Sequence, residues 1–109
     1  MKRVVFHAHE MKAWPTLFTY LEKAYEVTPD FKAVVVANGA AVRIAEREEL
    51  LDQAKPWLDR GVRFELSKPS LEREGIDEDQ VTQVGLAVTP DGVAALIDYQ
   101  HDRYAYIRV

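Results

Sequence analysis

Ala33-Val34-Val35-Val36-Ala37, closed by Asn38-Gly39, is the stretch on which the fold turns. A continuous apolar, β-branched run of this length reads as a strand covered on both faces. That environment arises in a parallel sheet with helices above and below. On its N-terminal side, Val4-Val5-Phe6 reads as a second buried strand. Between the two, Trp14, Leu17, Phe18, Leu21 and Tyr25 recur at spacings of three and four, which places them on one helix face. Pro15 suits an early helical position, and Thr28-Pro29-Asp30 is the turn out.

Beyond Asn38-Gly39 a helix is expected to start within Ala40–Ala45. A further stripe follows at Leu50, Leu51, Ala54, Trp57 and Leu58. Pro56 is expected to kink this helix or open a new turn, and Gly61 to end it. Val62-Arg63-Phe64-Glu65-Leu66 alternates strictly, which predicts a short or peripheral strand with one wet face. Ser70 is placed to cap a short helical segment and Gly75 to stop it. The charge-rich stretch 72–79 reads as a solvated loop. Gly85-Leu86-Ala87-Val88 is expected to be a fourth strand. Thr89 is expected to be the N-cap of the next helix, with Pro90 at its first position. Tyr104-Ala105-Tyr106-Ile107 is the last strand. Strands alternating with helices in this way predict right-handed crossovers and a three-layer α/β/α sandwich.

The chain has 109 residues, the size of a single domain spanning 1–109. Its net charge is −4 and its basic residues are scattered among acids, which argues against nucleic-acid binding. Absence of cysteine excludes thiolate metal sites and cysteine nucleophiles from the chain itself. No secretion signal or membrane-length apolar run is visible, so a cytoplasmic address and no membrane partner are expected.

Open parallel α/β sheets place ligands beyond the carboxyl ends of their strands. That rule nominates a rim of His7, His9, Glu10, Asn38, Gly39, Ala40, Ser67 and Asp91. His7, His9 and Glu10 could ligate a divalent ion or move a proton. Two histidines without a placed third ligand more often bond to water or backbone, and nothing in the sequence brings His101 to them. Neither a metal nor a cofactor is therefore expected. Asn38-Gly39-Ala40 has small residues at a strand-to-helix turn, where backbone N–H groups could hold an anion, but it lacks the pattern of a nucleotide loop. Ser67 has no nucleophile-elbow flanks and would need a base within reach. The aromatic residues Trp14, Phe18, Trp57, Tyr104 and Tyr106 read as core first and subunit contact second.

Three stretches together resemble the DsrE/DsrF-like family. They are Gly61 to Leu71 followed by Gly75-Ile76; Val88 to Val93 with Leu96, Gln100 and Tyr104 to Ile107; and Val34 to Val42. The resemblance implies a five-stranded parallel sheet in the order 4-3-2-1-5. It also implies assembly into dimers, trimers or hexamers. The better-known members pass sulfur as a cysteine persulfide. Here Ser67 occupies the place of that cysteine, Asn38 stands where histidine is often found, and Arg103 replaces a usual glycine. A serine hydroxyl, protonated at neutral pH, cannot carry a persulfide.

The leading expectation is a non-catalytic homo-oligomeric subunit that holds a small molecule, an anion or a partner protein at the rim. The alternatives are an enzyme using His7 or His9 as base with Ser67 or water as nucleophile, and an accessory partner of a cysteine-bearing homologue.

Overall fold

A computed structural model describes residues 1–109. Five strands form one sheet: β1 (Lys2–Ala8), β2 (Phe31–Ala37), β3 (Arg63–Ser67), β4 (Ala87–Thr89) and β5 (Ala105–Arg108). Their spatial order is β4-β3-β2-β1-β5, and every neighbouring pair is parallel. The sheet order and the sandwich thus match the expectation from the sequence. Five α-helices connect the strands: α1 (Ala13–Val27), α2 (Glu48–Asp59), α3 (Lys68–Glu74), α4 (Glu78–Gln83) and α5 (Gly92–His101). A 3-10 helix, Gly39–Glu46, follows β2 directly.

The two faces of the sheet are unequally covered. Phe6, Ala33, Val35, Phe64 and Leu66 point into the larger core, against Trp14, Leu17 and Leu21 of α1 and Val42 and Ile44 of the 3-10 helix. Each fully buried side chain of this size contributes about 1.5–3 kcal/mol relative to exposure. The opposite face holds only Val5, Val34 and Val36, roofed by Leu96 of α5. One helix therefore shields most of a five-stranded face, and grooves remain along its flanks.

Several local expectations are corrected. The stretch 72–79 is not a solvated loop: α3 extends to Glu74, Gly75 ends it in the left-handed region (φ 71°), and Asp77 caps α4 by accepting from the Asp79 N–H. Exposed acids here sit on helices because the buried partners Leu71, Ile76 and Val81 lie among them. Strand β3 is not peripheral. It lies between β2 and β4, and Glu65 on its expected wet face is 7% exposed. The cap of α5 is Asp91, whose Oδ1 accepts from the N–H groups of Val93 and Ala94, while Thr89 remains in β4. Pro56 lies inside α2 without ending it. Trp14 is fully buried, so it offers no subunit contact. Trp57 is half-buried and stacks on Tyr25.

Candidate functional site

Because all strands run the same way, their C-terminal ends gather His7, Asn38, Ser67, Asp91 and Gly92 on one rim of the sheet. His7 is the penultimate residue of β1 and is half-buried. Its Nε2 lies 3.0 Å from Asn38 Nδ2, and its Nδ1 lies 2.7 Å from the Tyr106 hydroxyl. An amide nitrogen only donates, so Nε2 is the acceptor and the ring proton sits on Nδ1. The phenol oxygen accepts that proton and keeps its own O–H to donate outward. Tyr106 lies opposite Val5 on the edge strand β5 and is 41% exposed, so this donor faces solvent.

The same arrangement disfavours a charged ring. Burial pushes the His7 pKa down from its ordinary 6.5, and the nearby Arg108 and His9 charges push it further the same way. A histidine that titrates lower in the folded chain binds fewer protons than it does unfolded. Its contribution to stability is complete above pH 6.5, falls as pH drops below 6.5, and stops falling below the folded-state pKa. Stability is expected to rise with pH across that window, and His7→Gln to flatten the rise. Urea midpoints measured from pH 4.5 to 7.5 check this; an unchanged slope in the variant would remove His7 as its source.

Asn38 is held from its other side. A Cβ built on Gly92 would meet Asn38 Oδ1 at 2.0 Å, so the start of α5 lies directly against the amide. The Gly92 N–H in turn donates to Ser67 Oγ at 3.0 Å. Ser67 is 3% exposed and ends β3. The hydroxyl expected as a potential nucleophile is thus buried and anchors the first turn of α5. Both His7 nitrogens are engaged elsewhere, so no histidine–serine hydrogen bond forms.

The Asn38-Gly39-Ala40 turn is likewise occupied by the chain's own groups. The Gly39 N–H donates to Ser70 Oγ at 2.8 Å, and the Ala41 N–H reaches the carbonyls of His9 and Asn38. Ser70 therefore anchors the 3-10 helix instead of capping α3, and the Gly39 and Ala41 amides are unavailable as an anion cradle. His9 lies over Gly39, where a Cβ would come within 2.6 Å of its ring carbon Cε1. Glu10 pairs with Lys12 at 3.2 Å on the surface. His7, His9 and Glu10 do not converge, and no group of three His, Asp or Glu side chains is disposed to hold a metal ion. His101 ends α5 beside Met1 and Arg3, at the N-terminal end of β1 and far from His7.

The nominated residues therefore separate into a half-buried pair, a buried anchor and peripheral groups. His7 and Asn38 join one hydrogen-bonded cluster, and Ser67 supports it from below. Tyr106 and Ser70 complete the arrangement. Tyr106 was legible only as an aromatic on a strand, and Ser70 only as a helix cap. A two-sided hydrogen bond to a residue 99 positions away leaves no local signal. The rim around His7 is open. Two grooves of about 500 and 570 Å³ instead lie toward the N-terminal ends of the strands, around Lys32 and Tyr104.

A five-stranded parallel sheet in this order, with a polar rim at its C-terminal edge, defines a class of small α/β sandwiches. The family model described as DsrE/DsrF-like matches residues 5–109, and the chain belongs to that family. Among solved structures, it is similar to a protein of unknown function, MTH1491, from Methanobacterium thermoautotrophicum. The two share 26% identity with a TM-score of 0.91, covering 100% of each chain. It also shares the fold of the ychN protein from E. coli, at 11% identity and a TM-score of 0.81 over 100% of both chains. A conserved protein of unknown function, BT1422, from Bacteroides thetaiotaomicron has the fold too. That pair shares 15% identity with a TM-score of 0.75, over 96% of this chain and 94% of the other. No protein of curated function matches the sequence.

Proposed function

We propose that this chain is a non-catalytic binding subunit of the DsrE/DsrF-like type, acting as a single domain over residues 1–109 in the cytoplasm. It holds a small ligand or a partner protein at the His7–Tyr106 rim. One observation carries the reading. The hydroxyl of Ser67, at the position where the resemblance places a sulfur-carrying cysteine, is sealed under α5 and bonded to the Gly92 N–H, while Tyr106 presents an unused O–H to solvent. The chain has no thiol with which to transfer sulfur. Neutral His7 fixes the phenol's orientation, so the rim recognises an acceptor, such as a carbonyl, carboxylate or oxyanion, without protonating it.

The openness of this rim favours an occupant that covers it, and self-association supplies one. Val93 and Ile97 lie one turn apart on α5 and are each 62% exposed, and all four residues of the edge strand β5 are exposed. Tyr106 on this face is one of the aromatic residues expected from the sequence as a subunit contact, whereas Trp14 is buried and drops out. An unpaired edge strand flanked by apolar side chains is a surface that a second chain readily covers.

Native mass spectrometry of the untreated protein, together with sedimentation, tests the proposal. An oligomer with a bound small molecule or a co-purifying protein is expected, with the bound species reduced in Tyr106→Phe. A monomer at micromolar concentration that carries nothing would end it.

A further inference from the structure

On the β3–β4 side of α5, away from Val93 and Ile97, lies a groove of about 340 Å³. That is near the lower end of the range for small-ligand sites, about 300–1,000 Å³. Its floor is Glu65 and Thr89, its wall Ala94 and Ala95, and its mouth Asp91 and Asp98. Glu65 and Thr89 are each more than nine-tenths buried. The Tyr99 O–H at 2.7 Å and Arg63 Nε at 2.5 Å both donate to the same oxygen of Glu65, Oε2. Its Oε1 has no partner in the chain, and neither has the Thr89 hydroxyl. No wholly buried side-chain oxygen is left unpaired, so both of these atoms open onto the groove.

Burial and the Glu65 side chain raise the Tyr99 pKa, so the phenol stays protonated and its O–H holds Glu65 by Oε2, leaving Oε1 turned to the groove. Three carboxylates face one guanidinium around the groove, leaving an excess of negative charge. The three do not converge into a group able to hold a metal ion. A compact cation with several N–H donors and an apolar stem suits the remaining features. Its donors meet two acceptors on the floor, and its methylenes lie along Ala94 and Ala95.

The geometry points to a binding site for a primary alkylammonium group, as in a short diamine or a lysine side chain, with Glu65 Oε1 and Thr89 Oγ1 accepting from the ammonium and Asp98 at the mouth. This site is on the opposite flank of α5 from Val93 and Ile97 and does not depend on what occupies the His7–Tyr106 rim.

Amide-detected NMR titration of the full chain at low ionic strength is the test. The probes are 1,4-diaminobutane, butylamine, Nα-acetyl-lysine amide and, as the neutral control, butan-1-ol. Saturable shifts centred on Thr89, Ala94 and Ala95 are expected with the amines and not with the alcohol. Thr89→Val is expected to weaken binding about tenfold or more and Asp98→Asn about three- to tenfold, since a hydrogen bond to a charged group contributes more when buried than at an exposed mouth. Asp98 is exposed and its replacement leaves the core untouched, so that variant remains informative even if Thr89→Val fails to fold. Response to 1,4-diaminobutane but not to the lysine amide identifies a free amine as the natural ligand; the reverse identifies a protein side chain. Equal shifts with butan-1-ol or potassium chloride, no saturation with any amine, or unchanged affinity in Asp98→Asn would overturn the assignment.

Discussion

Trp14→Ala is expected to cost about 3–5 kcal/mol of folding stability, the range for deleting a large aromatic from a packed core. Trp14 is fully buried and joins three elements. Its ring stacks on Phe18 of α1 at 5.9 Å and on Phe64 of β3 at 6.0 Å, and its indole N–H donates to the Ala41 carbonyl of the 3-10 helix at 3.1 Å. Alanine leaves a cavity and removes the indole's hydrogen bond to the Ala41 carbonyl. A domain of this size is typically stable by only about 5–15 kcal/mol, so the loss is a large share of the total. Trp57 remains in the variant as a fluorescent reporter for urea unfolding. Trp57→Ala is the control: that ring is half-exposed, with Arg60 lying over it at 5.5 Å, and its removal is expected to cost less than half as much. Equal losses in the two variants would mean that the larger core is not organised around Trp14.

Gly39→Ala is expected to destabilise by about 1–3 kcal/mol through backbone strain alone, with a further cost from crowding. Gly39 has φ 57°, in the left-handed region that residues with a Cβ avoid. An added Cβ would lie 2.6 Å from the His9 ring and 3.0 Å from the His9 carbonyl oxygen. The ring is exposed and swings away easily. The carbonyl does not, because it accepts the Ala41 N–H at 3.1 Å and so ties the end of β1 to the 3-10 helix. Gly75→Ala separates the two contributions. Gly75 has φ 71° but open space where its Cβ would go, so its replacement reports backbone strain without crowding. Scanning calorimetry is expected to rank the variants with Gly39→Ala clearly below Gly75→Ala. Equal melting temperatures would show that the contact with His9 carries no constraint.

Buried strands and apolar helix stripes were legible because their signals are local. The run Ala33–Ala37 could hardly be anything but a strand covered on both sides, and Trp14, Leu17, Phe18 and Leu21 declare a helix by spacing alone. The 72–79 stretch misled because its charges are dense, although Leu71, Ile76 and Val81 mark the buried side of α3 and α4. Glu65 misled for a different reason. Strict alternation suggests a wet face, but a carboxylate tolerates burial when a tyrosine from α5 and a neighbouring arginine supply donors.

The rim divides along the same line. His7, Asn38 and Ser67 were nominated together because parallel strands share one C-terminal edge, and the structure does gather them there. Which of them faces outward was invisible in the chain. Ser67 is buried by the first turn of α5, 25 residues downstream, and His7 is oriented by Tyr106 on the last strand. By itself, then, the order of residues determined a parallel α/β sandwich and the edge at which its polar groups collect, since both follow from short-range periodicity. Only the tertiary structure decided which hydroxyl is an anchor and which is a donor to solvent, because hydrogen bonds between distant segments are chosen by how those segments pack.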